Sequence, residues 1–214
     1  MMIYLVGEVH FEGVQNLVLN EICFFDFSLD LNEFDALIIT SKNAIKALKR
    51  LHIKPIKDLS VYAVGAKTAK KALEYGFKEV KFPQKAYASE LLAEFKEELK
   101  GKKCLYLRAK KVRSNLGKEL LNLGVYLREC IAYENKPLKP DISLIQPAIF
   151  IFNAYSALRN FLHFYSFNEK DIIICLGQST AKALPQGLLN KIYISQEQSL
   201  QACVSLAKSL VKQE

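Results

Sequence analysis

Val61-Tyr62-Ala63-Val64-Gly65-Ala66-Lys67-Thr68-Ala69-Lys70 reads as a short apolar strand, a glycine turn and the start of a helix. The pattern returns as Ile173-Ile174-Cys175-Leu176-Gly177-Gln178-Ser179-Thr180-Ala181-Lys182. The stretch before it, Ala36-Leu37-Ile38-Ile39-Thr40-Ser41, returns in the same way as Ala148-Ile149-Phe150-Ile151-Phe152-Asn153. Residues 41 and 153, 65 and 177, and 68 and 180 are each 112 positions apart, so one pair of strand-turn-helix units occurs twice.

Working outward, Ile3-Val6, Ser60-Val64, Cys104-Leu107 and Ile172-Leu176 are further short apolar runs, each followed by helix-period sequence. Strands alternating with helices imply parallel sheets. Asn43 to Leu48 and Thr68 to Leu73 begin helices, and Ser89 to Leu99 is an amphipathic helix stopped by Gly101. Ser89-Glu90-Leu91-Leu92 is answered by Ser199-Leu200-Gln201-Ala202. The first copy then adds Cys104-Leu107 and a helix over Leu116-Leu123, for which the second copy has no successor. The N-terminus supplies one: Met2 to Gly7, Gly13 to Asn20 and Cys23 to Asp26 run parallel to Leu105-Arg108, Gly117-Leu123 and Cys130-Tyr133.

The expected fold is therefore α/β with two similar lobes, each a parallel sheet flanked by helices in the flavodoxin-like manner. One lobe joins residues 1–26 to 144–214, the other is 34–128, and 27–33 and 129–143 are connectors lying side by side. Pro137, Pro140 and Pro147 make the second connector non-helical. Ligands of open parallel sheets bind beyond the carboxyl ends of the strands, where helix N-termini attract anions. Gly65 and Gly177 would allow close backbone approach there, and Thr68 and Thr180 would put hydroxyls in first helical turns.

Composition narrows the chemistry. The 214 residues are 50% hydrophobic, with 30 Lys and Arg against 22 Asp and Glu, a net charge of +8 that suits an anionic partner. The longest apolar runs are far too short to span a bilayer, and no export signal precedes Glu8 and His10. These features point to the cytoplasm with no membrane association. Five cysteines without CxxC spacing read as reduced core thiols, and His10, His52 and His163 form no metal-binding pattern. No nucleic-acid recognition motif accompanies the charge.

The ordered set Leu37-Ile38-Ile39-Thr40-Ser41-Lys42-Asn43-Ala44, Val61 to Ala69, Leu105-Tyr106-Leu107-Arg108-Ala109 and Gly177-Gln178-Ser179-Thr180-Ala181, with Tyr133 ahead of a proline-bearing connector, resembles the uroporphyrinogen-III synthase family over nearly the whole chain. The resemblance implies two α/β lobes on a two-stranded connector. It implies a cyclase without metal or cofactor, which closes hydroxymethylbilane, a linear tetrapyrrole with eight carboxylates, to uroporphyrinogen III while inverting the last ring and losing water. Tyr133 is then the proton donor to the leaving hydroxyl. Ser41, Lys42, Gly65, Thr68, Arg108, Asn153, Gly177, Ser179 and Thr180 become substrate contacts, with Arg113 a further one. Asn153 stands where many relatives have serine. The resemblance also implies a monomer, in transient contact at most with the enzyme preceding it in the pathway. The alternative function is a two-lobed anion or small-molecule binding protein without catalysis.

Overall fold

The computed structural model describes residues 1–112, 114–197 and 199–212. Two compact units divide the chain: Ile22–Asn135, which is contiguous, and Met1–Glu21 with Lys136–Glu214, which is not.

The contiguous unit holds β4 (Ala36–Ile39), α1 (Lys42–Arg50), β5 (Ser60–Ala63), α2 (Ala66–Tyr75), β6 (Val80–Lys81), α3 (Ala88–Leu99), β7 (Lys103–Ala109), α4 (Leu116–Asn122) and β8 (Tyr126–Pro137). They follow β1 (Met2–Val6), β2 (Gln15–Asn16) and β3 (Asn20–Phe24). The sheet order is β3-β8-β7-β4-β5-β6, and β8, β7, β4, β5 and β6 pair in parallel. The central strand β4, β5 beyond Ser60 and the middle of β7 are apolar and buried because both faces are covered. Leu37 and Ile39 pack with Ala44, Ile45, Leu48, Ala69 and Ala72 under α1 and α2. Ala36 and Ile38 point the other way, to Leu91, Leu92, Leu116 and Leu120 of α3 and α4.

The discontinuous unit adds β9 (Ala148–Phe152), α5 (Tyr155–Phe164), β10 (Ile172–Cys175), α6 (Gln178–Ala181), β11 (Lys191–Ile194) and α7 (Leu200–Val211). Its sheet order is β11-β10-β9-β1-β2, all parallel. The N-terminal strand lies along β9 from Met2 opposite Ala148 to Val6 opposite Phe152. One face carries a stack of aromatic rings, with Phe150 centred 4.8 Å from Phe161 and 5.3 Å from Tyr4. The other packs Ile3, Leu5, Ile149 and Ile151 on Cys203, Val204 and Ala207 of α7.

Numbered in chain order, the discontinuous sheet runs 2-1-3-4-5 with β1 and β2 as its first two strands, which is the flavodoxin order. The contiguous sheet, numbered from β4, runs 3-2-1-4-5 with β3 added beside β8, the same layout with the chain entering at a different strand. One departure from the repeat concerns Gly13–Asn20, the counterpart of α4. It is extended, because Leu17 and Leu19 are buried two residues apart as in a strand, and the Asn16 amide donates to the carbonyls of Gly7 and Val9. No helix among the described residues is long and apolar enough to cross a membrane.

Candidate active site

In the contiguous unit the chain moves from β4 outward to β5 and β6, then returns to the other side of β4 with β7. A doubly wound sheet opens a crevice at such a reversal. Here a cavity of about 750 Å³ lies there, lined by Thr40 and Ser41 after β4, Val64 after β5, Ala109 at the end of β7 and Tyr133 of β8. Ala86, Tyr87 and Ala88 at the start of α3, and Lys111, Val112 and Ser114 after β7, complete its lining.

Tyr133 reaches the cavity through an irregularity. Ile131 pairs with Arg108 but Tyr133 pairs with Ala109, which leaves Ala132 as an extra residue on β8. Such a bulge reverses the alternation of side chains beyond it. Ala132 and Tyr133 are consequently both buried in the core beneath α1 and α2, whereas Ile131 is exposed. Burial pushes the Tyr133 phenol above its ordinary pKa, opposed by a hydrogen bond with Ser41. The same Ser41 caps α1, accepting the Asn43 amide at 3.2 Å. Next to it, burial also raises the phenol of Tyr106, with the Thr40 side chain acting in the opposite direction.

The electrostatics favour an anion. Gly65 and Tyr87 cap α2 and α3 without a side-chain hydrogen bond, so first-turn amides remain available. Lys111 adds a cation to the lining. The contiguous unit holds 22 Lys and Arg against 14 Asp and Glu, while the other unit has eight of each. The whole excess of positive charge thus belongs to the unit with this cavity. Gly65 is required by space: a Cβ there would stand 2.7 Å from the Cβ of Ala86, on the cavity wall.

The remaining residues expected from sequence are dispersed. Lys42 turns out of the cavity into a groove between α1 and α2. Thr68 is half-buried in α2, its amide bonded to the Gly65 carbonyl at 2.9 Å. Arg108 donates from Nε and Nη2 to Glu129 at 3.0 and 2.8 Å, and from Nη1 to the carbonyls of Ala109 and Lys110. All its nitrogens are engaged, and it holds the start of the loop that carries Lys111. In the discontinuous unit Asn153 follows β9 and stands against Gly7, where a Cβ would meet its amide nitrogen at 3.0 Å. Gly177 caps α6; Ser179 is exposed, whereas Thr180 is only 2% exposed. Arg113 lies outside the described residues. Tyr87, Lys111 and Ser114 are lining residues that sequence reading missed, since they sit in turns without a repeated motif, and Thr40, within the repeated stretch, was read only as the end of its strand. Among the described residues no group of three or more His, Cys, Asp or Glu is placed to hold a metal ion.

Fold and cavity together define an α/β protein of two doubly wound units, one of which offers hydroxyls, amides and a lysine to an anionic small molecule. The chain belongs to the uroporphyrinogen-III synthase family, for the family profile described as Uroporphyrinogen-III synthase HemD matches residues 20–205. The crystal structure of uroporphyrinogen-III synthetase from Helicobacter pylori 26695 is 33% identical, with a TM-score of 0.77 over 98% of this chain and 99% of that one. A mutant uroporphyrinogen III synthase from the extremely thermophilic bacterium Thermus thermophilus, 15% identical with a TM-score of 0.56 over 100% of this chain and 99% of that one, shares the fold. No curated protein sequence matches significantly. Membership places the chain among the cyclising hydro-lyases of tetrapyrrole biosynthesis.

Proposed function

We propose that, in cyclising hydroxymethylbilane to uroporphyrinogen III, this chain uses Tyr133 as the proton donor and the cavity around it as the seat of the reacting end. The observation that carries the assignment is the bulge, which brings one buried phenol beside Ser41 at the crevice of the sheet. A phenol whose pKa lies above 10 is fully protonated at neutral pH and can donate to a leaving hydroxyl.

Tyr133 gives its proton to the terminal hydroxyl, the C–O bond breaks, and water departs. The cationic ring so formed is attacked by the substituted carbon of the last pyrrole, the spiro intermediate rearranges, and closure releases a ring proton. The Tyr133 phenolate, costly in its buried setting, takes that proton back. One water is lost in all, and the tyrosine ends as it began. Since uncatalysed closure yields the uninverted isomer, positioning is the larger task.

Carboxylates of the substrate are assigned to Ser41, Lys111 and the first-turn amides of α2 and α3, with Gly65 and Thr68 shaping the α2 end. Asn153, Gly177 and Ser179 are assigned the same task at the strand ends of the discontinuous unit, where the Asn153 amide can donate in place of a serine hydroxyl. Arg108 acts by holding the loop of Lys111, and Thr180 by packing. The reading invokes no cofactor and a monomer working in the cytoplasm on a free small molecule. Incubation with hydroxymethylbilane, with resolution of the isomers, tests it: uroporphyrinogen III should dominate. Isomer I at the level of an enzyme-free blank would overturn it.

A further inference from the structure

Three lysines outside the cavity share one groove. Lys42, Lys46 and Lys49 line, with Ile45, Lys71, Glu74 and Tyr75, a groove of about 250 Å³ between α1 and α2. Its one carboxylate, Glu74, is paired with Lys71 at 2.5 Å. Among the described residues Lys42, Lys46 and Lys49 have no ion-pair partner. Lys49, in the last turn, suits the helix dipole, but the other two work against the helix that bears them. Lys42 opens α1, where the helix dipole disfavours a cation, and the first turn has no acid to offset it. Lys42 with Lys46, and Lys46 with Lys49, are like charges one turn apart.

The cavity has the opposite shortage. Lys111 is its one lysine or arginine among the described lining residues, against a substrate of eight carboxylates. The row of lysines begins at the residue after Ser41, which lines the cavity, and runs down α1 from there. We propose that Lys42, Lys46 and Lys49 form a capture track, which draws the carboxylate-rich linear tetrapyrrole onto α1 and delivers it to the cavity at the Ser41 end. The inference rests on the function proposed above, and it assigns Lys46 and Lys49 to the approach of the substrate rather than to its reaction. Attraction by such a track is long-ranged and screened by salt.

The test is kcat/KM for hydroxymethylbilane across ionic strength, in wild type and in Lys46→Gln/Lys49→Gln. At low salt the variant should lose roughly three- to tenfold in kcat/KM, with a flatter salt dependence that meets the wild type at high salt, while the product remains isomer III. A control, Lys96→Gln/Lys100→Gln, removes the same charge at α3 on the opposite face of the sheet and should keep the wild-type slope. Equal slopes in wild type and track variant would overturn the inference, as they would if the row served an acidic partner protein instead. Equal flattening by the control would overturn it too, by reducing the effect to net charge. Failure of the wild type to form isomer III is a separate outcome, which sinks the proposed function itself.

Discussion

The Ser41 side chain serves two elements: its oxygen accepts the Asn43 amide at the start of α1, and its hydroxyl draws the pKa of the Tyr133 phenol of β8 down against the upward push of burial. Helix cap and proposed acid thereby meet at one side chain. Tyr133→Phe should lower kcat by about 100-fold or more, with a small change in KM and a melting temperature near that of wild type. Ser41→Ala should cost about 1 kcal/mol of stability through the cap and lower kcat less. In the double variant the losses in kcat should fall short of the sum, and full additivity in a double-mutant cycle would remove the coupling.

Gly65→Ala sets a methyl group 2.7 Å from that of Ala86, so α2 and the segment before α3 must part. The expected cost is about 1–3 kcal/mol in urea denaturation, with a raised KM because the cavity wall moves. Ala86→Gly, combined with it, should restore most of both. A double variant as weak as the single one would show the clash to be irrelevant.

Arg108 and Glu129 should behave as one device. If arginine holds the loop rather than the substrate, Arg108→Gln and Glu129→Gln raise KM by similar factors and their combination adds little. An unaltered KM in Glu129→Gln, with a large rise in Arg108→Gln, would instead assign the guanidinium to a substrate carboxylate.

Burial pushes the thiols of Cys104 and Cys175 up to about 11 from an ordinary 9.0. Iodoacetamide at pH 8 should label neither in the folded protein, while both react once it is unfolded. Between pH 9 and 11 the unfolded chain releases these protons and the folded one retains them. Stability contributed by the neutral buried thiols is therefore full below pH 9 and declines as pH rises, by about 2 kcal/mol for each. Denaturation at pH 8 and pH 10.5 of the wild type and of Cys104→Ala would reveal a smaller decline in the variant.

Parallel strands covered on both faces are the most legible elements of a sequence. Ala148 to Phe152 are all fully buried, and their unbroken apolar run announces it. The family was legible for a related reason, since its motifs are the turns that follow such strands. The edge strands were silent: Gln15–Asn16 and Val80–Lys81 are two residues long and part-exposed, and their pairing comes from the neighbouring strand. The bulge beneath Tyr133 was hidden as well, because register is a property of two strands together and Ala132 alone carries no mark of it. Arg108 ends a strand, as its sequence context suggests, but its engagement with Glu129 is a contact across 21 residues that spacing does not encode. Lys42 follows a cavity residue in sequence, yet one step along a helix turns a side chain by about 100°, enough to take it into a different groove.

The pairing of β1 with β9 imposes an order in time. Ala148 is synthesised 146 residues after its partner Met2, so on a ribosome adding about 5–20 residues per second the first strand waits roughly 7–30 seconds for its neighbour. Ile22 to Asn135 can close in that interval, and the chain matures from the inside outward. Until then Met2-Ile3-Tyr4-Leu5-Val6 has only the two-residue β2 beside it and its β9 side stays open, an apolar edge most in need of a chaperone and the first place for two nascent chains to join by mistake.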